Sequence, residues 1–303
     1  MKDDFLQAGV MMNLQFGRLM TAMMTPFDDN GALNIDEAIR IGEHLVETGT
    51  DTILLAGTTG ESPTLTHDEE FLLFQTFVTH FKERVKIMAG TGSNSTATAI
   101  ASTKKAEALG VDAVLQVVPY YNKPSQEGLY QHFKAISEAS SLPILLYNIP
   151  GRTGINMAPE TMARLAEIKT VFGVKEAAGD PEQVSAIRQA TPDEFLIYSG
   201  DDGLTLSFME RGACGVVSVA SHCAGAQIKA MMEAFVSGQA DDAYTIQDRL
   251  KALFEVLFIT SNPTPLKAAM SMMGFQAGVP RLPLVSATEE EYRQIEAVIQ
   301  GLS

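Results

Sequence analysis

Residues 95–118 read STATAIASTKKAEALGVDAVLQVV, from Ser95 to Val118. Ser95–Leu109 has helical composition and ends at Gly110, the residue type that most easily takes the left-handed conformation closing a helix. Leu109-Gly110-Val111-Asp112-Ala113 then leads straight into the apolar run Ala113–Val118. Glu47-Thr48-Gly49-Thr50-Asp51 repeats the same helix–glycine–acid–strand junction. Upstream of it, Ile35–Thr48 places Ile35, Ala38, Ile39, Leu45 and Val46 near one helical face, with Asn34 as its N-cap.

Outward from these junctions the chain repeats one unit, a short apolar run followed by a segment of helical period. The runs are Leu19–Thr25, Thr52–Ala56, Val85–Ala89, Ala113–Val118, Ile144–Tyr147, Val171–Val174, Phe195–Tyr198 and Gly215–Val219. Strands so continuously apolar belong to parallel sheet covered on both faces. Eight such units predict an α/β fold, a (β/α)8 TIM barrel. A doubly wound open sheet competes, but it calls for a glycine-rich phosphate turn after its first strand. Met24-Thr25-Pro26-Phe27 stands there instead. Beyond Ala224 the strand signals stop, and Asn262-Pro263-Thr264-Pro265 and Gly278-Val279-Pro280 break an otherwise helical stretch. The expected organisation is an N-terminal extension over 1–17, read as frayed, a barrel over 18–224, and a helical region over 225–303 packed on the barrel.

The chain has 303 residues with 22 basic and 37 acidic side chains, a net charge of −15. That balance argues against nucleic acid and anionic membrane as partners, since a phosphate surface selects a basic footprint. No run of 18 or more apolar residues predicts a membrane span. Lys2, Asp3 and Asp4 precede only a short apolar piece, which disfavours a signal peptide. The two cysteines, Cys214 and Cys223, cannot form a disulfide framework and fit a reducing, cytoplasmic setting. The five histidines are scattered without zinc-site spacing, and there is no Walker motif, dinucleotide fingerprint or Gly-x-Ser-x-Gly elbow. The reading therefore expects no metal and no cofactor.

In a barrel of this kind catalytic groups stand at the C-terminal ends of strands. Lys175 closes the run Val171-Phe172-Gly173-Val174. Burial disfavours an ammonium and frees a neutral amine to attack a carbonyl. The plain alternatives are a lysine snorkelling to solvent or one paired with Glu176. Gly57-Thr58-Thr59-Gly60-Glu61-Ser62 offers hydroxyls and close backbone approach, or simply a glycine-rich turn with local hydrogen bonds. Tyr147 can relay protons, and Arg152 on the loop after it can clamp a carboxylate or be merely solvated. Tyr120 and Tyr121 suit packing or an interface equally.

Taken in order, Gly57-Thr58-Thr59-Gly60-Glu61, Pro119-Tyr120-Tyr121-Asn122, Tyr147-Asn148-Ile149-Pro150-Gly151-Arg152-Thr153-Gly154 and Lys175-Glu176-Ala177-Ala178-Gly179-Asp180 resemble the 4-hydroxy-tetrahydrodipicolinate (dihydrodipicolinate) synthases. These belong to the pyruvate-dependent Schiff-base aldolases. The resemblance runs from Phe16 to the C-terminus and includes Ser199-Gly200-Asp201-Asp202 and Asn262-Pro263-Thr264-Pro265-Leu266-Lys267.

The resemblance implies a lyase in which Lys175 forms an imine with pyruvate, whose enamine attacks L-aspartate 4-semialdehyde, the first committed step of lysine and diaminopimelate biosynthesis. It implies that Thr58, Tyr121 and Tyr147 relay protons and that Thr59 binds the pyruvate carboxylate. It assigns Arg152 to the semialdehyde's carboxylate and lets Gly200 and Val217 line the pyruvate pocket. Two anionic substrates in an acidic protein then find local positive potential at Arg152 and the Gly57–Gly60 loop. Tyr121 is implied to act in the neighbouring subunit, making a homo-oligomer, a dimer of dimers, the expected form.

Superfamily cousins are the alternative: N-acetylneuraminate lyases, which show Ser-Thr at Thr58-Thr59 and lack the Gly-Arg-Thr-Gly run, and keto-deoxy sugar-acid aldolases or dehydratases, from which Arg152 discriminates. A non-catalytic homologue would have lost the lysine or a tyrosine, and neither is lost. Feedback by lysine is expected to be weak or absent. His67, Asn94 and Tyr120 agree with lysine-sensitive relatives, whereas Glu70 replaces a frequent His and Thr98 replaces the Glu that receives the effector's ammonium.

Overall fold

The computed structural model describes residues 14–302. Eight parallel strands follow in sequence order: β1 (Leu19–Ala22), β2 (Thr52–Leu55), β3 (Lys86–Gly90), β4 (Ala113–Val117), β5 (Ile144–Asn148), β6 (Val171–Glu176), β7 (Leu196–Ser199) and β8 (Gly215–Ser218). They close into a barrel in that order, with a helix between strands throughout. This is the (β/α)8 TIM barrel that the repeated apolar runs predict, and helices Ser221–Val236, Ala240–Val256, Thr264–Met272 and Glu289–Gln300 follow the last strand. Strands β1, β2, β5, β7 and β8 are buried at every residue, which is why their sequences are continuously apolar rather than alternating.

The junctions are built as the sequence dictates. The Asn34 side chain accepts from the Glu37 N–H at the start of helix Ile35–Glu47, and the Ser95 hydroxyl accepts from Thr98 N–H at the start of Thr96–Leu109. Gly110 sits at φ 85° and its N–H closes on the carbonyls of Ala106 and Glu107. Thr66 and Glu69 form a reciprocal capping box opening helix His67–Phe81.

The chain resolves into two compact units. One combines residues 14–18 with Met88–Val217. Its strands run in register from β3 to β8, with Tyr147 opposite Lys175 and Lys175 opposite Tyr198. The stretch just before β1 belongs to this packing. Phe16 is buried and stacks on Phe172 at 4.7 Å, and the Tyr198 hydroxyl donates to the Gly17 carbonyl at 2.9 Å. Residues 14–17 are thus not frayed; an aromatic anchor fixes them. The rest of the expected extension, 1–13, lies outside the described residues.

The second unit combines Leu19–Ile87 with the residues from Ser218 onward. Helices Ser221–Val236 and Ala240–Val256 pack as a pair, as do Thr264–Met272 and Glu289–Gln300. Helix Ser221–Val236 spans residue 224 and is broken there, with Ala224 at φ −142° and ψ 39°. His222, just before the break, is fully buried, and burial pulls its pKa down to about 4. In its neutral form it donates from Nδ1 to Val219 O and accepts the Met24 N–H at Nε2, which ties the end of β1 to this helix.

Candidate active site

In the first unit, β5 and β6 place two pairs side by side: Tyr147 with Lys175, and Asn148 with Glu176. Successive strand residues face opposite ways, so the two pairs point to opposite faces. The Glu176 carboxylate accepts from the Asn148 amide (3.0 and 3.2 Å), Ala178 N–H (2.7 Å) and Gln183 Nε2 (3.0 Å). Gln183 lies on helix Pro181–Ala190, so Glu176 and Asn148 face the helical layer and Lys175 and Tyr147 face the barrel interior. This removes both plain readings of Lys175. Its carboxylate neighbour in sequence is bound to other donors, and at 5 % exposure the side chain does not snorkel.

The Lys175 ammonium lies 4.4 Å from the centre of the Tyr147 ring. Burial drives its pKa down to about 8; the Asp202 carboxylate opposes that shift and the Arg152 guanidinium adds to it. Asp202 is itself buried. Gly200, after β7, has its N–H bound to the Glu176 carbonyl at 2.7 Å. A Cβ there would stand 2.6 Å from Ala177 Cβ and 3.1 Å from Lys175 Cε, so only glycine leaves the lysine stem its space. Val217 is a buried residue of β8.

Arg152 is exposed on the short helix Pro150–Thr153 that begins directly after β5. The Thr153 hydroxyl bonds the Ile149 and Ile155 carbonyls and Gly154 ends the turn at φ 81°, which fixes the segment that carries the arginine. Tyr121 stands apart from this buried group. It is 89 % exposed and left-handed at φ 73°, beside Asn122, whose amide donates to the Asn94 carbonyl at 2.8 Å. A large aromatic held out into solvent by a strained backbone is an unusual arrangement for a side chain without a partner surface.

In the second unit, Thr58 and Thr59 occupy the turn after β2, Thr58 half-buried and Thr59 buried. Ala56 and Glu61, at either end of the turn, both have positive φ (50° and 56°). Gly60 is confined: a Cβ would lie 3.1 Å from Ala56 N and from Met23 O. Thr25 donates its hydroxyl to Gly60 O at 2.7 Å. The sequence reading left Asn148, Asp202, Asn262 and Lys267 without roles. All four are buried polar residues; the one signal in the sequence was a charged or amide side chain inside an otherwise apolar stretch, as in Pro265-Leu266-Lys267-Ala268.

A buried lysine of depressed pKa on the inner face of a parallel barrel strand, with a tyrosine against it, suits the nucleophilic amine chemistry of aldolase-type lyases. The profile of the dihydrodipicolinate synthetase family matches residues 15–302. A 4-hydroxy-tetrahydrodipicolinate synthase of Moorella thermoacetica is 53 % identical over 287 residues, which is 95 % of this chain and 98 % of that protein. Dihydrodipicolinate synthase DapA-2 of Bacillus anthracis superposes with a TM-score of 0.92 at 47 % identity, covering 94 % of this chain and 98 % of that one. The lysine-bound enzyme of Cyanidioschyzon merolae superposes at 0.93, also at 47 % identity, with the same coverage of 94 % and 98 %. The chain belongs to the dihydrodipicolinate synthetase family.

Among the described residues no helix is long and apolar enough to cross a membrane. Among them, too, no group of three or more His, Cys, Asp or Glu is placed to hold a metal ion.

Proposed function

We propose that the chain catalyses the 4-hydroxy-tetrahydrodipicolinate synthase reaction, condensing pyruvate with L-aspartate 4-semialdehyde in lysine and diaminopimelate biosynthesis. The observation that carries this is Lys175, buried on β6 with a pKa brought down to about 8 beside Tyr147. An amine of that pKa is neutral in useful proportion near pH 7 and attacks the keto carbon of pyruvate. Loss of water gives the imine, and loss of a methyl proton gives the enamine. The enamine carbon attacks the aldehyde, and cyclisation of the adduct releases Lys175.

Tyr147, Thr58 and Tyr121 move the protons in this scheme, and Thr59 takes the pyruvate carboxylate through its hydroxyl and neighbouring backbone N–H groups. Arg152 holds the semialdehyde's carboxylate; its Coulomb effect on Lys175 supports a place within range of the imine. Gly200 leaves room around the lysine stem, and Val217 packs the pocket wall. The exposure of Tyr121 supports its use in a second copy, hence a homodimer as the active unit and a dimer of dimers as the assembly. A cytoplasmic enzyme that requires neither cofactor nor metal fits this chemistry. Incubation with pyruvate and borohydride, followed by peptide mapping, tests the reading: a reduced adduct on Lys175 is expected, and an adduct elsewhere or none would refute it.

A further inference from the structure

Two side chains from the C-terminal helical segment reach the Thr58–Thr59 turn within the second unit. The Asn262 amide donates to Thr59 Oγ1 at 2.8 Å. A hydroxyl has one proton and two lone pairs, so Thr59, by accepting from Asn262, keeps its own proton for another acceptor. Two residues on, Glu61 is buried with one carboxylate oxygen 2.8 Å from Lys267 Nζ and the other accepting the Arg281 N–H at 2.8 Å. Lys267 is 2 % exposed and sits 4.0 Å above the Phe27 ring; the Arg281 guanidinium lies 4.2 Å from the same ring. Arg281 also bonds the Gly31 and Thr64 carbonyls and Glu69. The turn between these anchors starts and ends on non-glycine residues with positive φ, Ala56 and Glu61. Such backbone persists only where the surroundings over-determine it.

We infer that Asn262 and the buried Lys267–Glu61 pair are positioning residues for pyruvate, with Asn262 fixing the Thr59 hydroxyl as a donor toward the substrate's carboxylate. The inference rests on the assignment of Thr59 under Proposed function. A purely structural role for these groups would lower stability and leave pyruvate affinity alone. The positioning role instead changes the pyruvate concentration at half-maximal imine formation while Lys175 still reacts fully at saturation. Asn262→Asp is the sharper variant, because a carboxylate accepts the Thr59 proton and turns the donor away. Asn262→Ala removes the anchor without that inversion. Lys267→Met removes the ammonium, and Lys267→Arg keeps a cation at the site.

The measurement is borohydride-trapped pyruvate on Lys175, read by intact mass against pyruvate concentration, alongside thermal unfolding of each variant. Half-saturation is expected to rise roughly tenfold or more in Asn262→Asp, the effect of losing one hydrogen bond to a charged group. A smaller rise is expected in Asn262→Ala and in Lys267→Met, with Lys267→Arg nearer to wild type and saturating yield unchanged in all. Should Lys267→Met fail to fold, the double variant Glu61→Gln with Lys267→Met removes both charges and is read in the same way. Thr59→Val separates the two levels. If Thr59→Val raises half-saturation and the folded Asn262 variants do not, the positioning inference is overturned and the role of Thr59 survives. If Thr59→Val itself leaves half-saturation unchanged, the carboxylate assignment fails and takes the inference with it.

Discussion

The ammonium of Lys175 lies 4.4 Å from the centre of the Tyr147 ring, and the two residues are register partners on adjacent strands. The pairing is held from the opposite face of the sheet. There Asn148 and Glu176, the next pair along, are joined by amide–carboxylate hydrogen bonds of 3.0 and 3.2 Å. A slip of one residue between β5 and β6 would cost the buried Glu176 carboxylate its Asn148 donor, so the buried polar pair helps to fix the register that sets Tyr147 against Lys175.

Lys175→Ala is expected to abolish the borohydride-trapped pyruvate adduct while circular dichroism and the unfolding transition remain those of a folded barrel. In the wild type the initial rate of adduct formation should rise with pH through about 8, where half of the lysine is neutral, and level off above it. An undiminished adduct in the alanine variant removes Lys175 from the mechanism.

The same residue makes a stability prediction whose sign follows from its burial. The folded pKa is about 8 against an ordinary 10.5, so between those values the unfolded chain holds a proton that the folded chain has released. Below 8 both states are protonated and the full cost of burying the charge is present; as pH rises to 10.5 that cost disappears. Lys175→Met should therefore be more stable than wild type at neutral pH, by on the order of 1–3 kcal/mol, and the gain should vanish at high pH. Denaturant titrations at neutral pH and above 10 check this; a gain that grows with pH contradicts it.

Arg152→Ala should raise the KM for aspartate semialdehyde far more than that for pyruvate. A charge-assisted hydrogen bond is typically about 1.5–3 kcal/mol, roughly ten- to a hundredfold in affinity. Steady-state kinetics varying each substrate in turn decide it. Equal changes in both KM values would show that Arg152 acts on the site generally and not on the second substrate.

Tyr121 supplies a test of assembly. If its hydroxyl serves the neighbouring copy, mixing an inactive Tyr121→Phe chain with an inactive Lys175→Ala chain should restore part of the activity, because one of the two sites in each hybrid has both groups intact. Native mass spectrometry verifies subunit exchange. Verified exchange without recovered activity rules out action across the interface.

The barrel was legible because its cause is local and repeated. Strands such as Ile144–Asn148 are buried throughout and so are written mostly in apolar residues, and junctions such as Leu109-Gly110 stop a helix by a conformation that glycine takes without strain. Lys175 stood out for the same reason, as a charge in an apolar run. Strand ends were less legible: β6 continues to Glu176, past the expected Val174, because its last two residues are polar, and Glu176 is satisfied by Asn148 on the neighbouring strand and by Gln183 on the helix that follows. Asn262 and Lys267 escaped for a related reason. Their partners, Thr59 and Glu61, are about 200 residues away, and no local pattern encodes a contact of that range. Phe16 was missed as an anchor because its partner Phe172 is on β6.

Inhibition by L-lysine is expected to be weak. The Glu70 carboxylate, buried at 6 % exposure, accepts from the Ser62 hydroxyl at 2.7 Å and faces His67 Nδ1 at 3.1 Å, so it is already engaged. Thr98, where sensitive relatives carry a glutamate for the effector's ammonium, turns its hydroxyl to Ser95 Oγ at 3.0 Å within its own helix cap. Removing a charge partner from a partly buried site typically costs about 2–5 kcal/mol, enough to raise an inhibition constant roughly thirtyfold or more. Glu70 offers a carboxylate of its own, but using it means breaking the bonds to Ser62 and His67, which offsets part of any gain. Initial rates at sub-saturating pyruvate against rising L-lysine decide the matter. Half-inhibition below about a millimolar, an affinity near −4 kcal/mol, would mean that Glu70 and Thr98 do not weaken the site. With inhibition weak as expected, Thr98→Glu should sharpen it at least tenfold if the missing carboxylate is the cause.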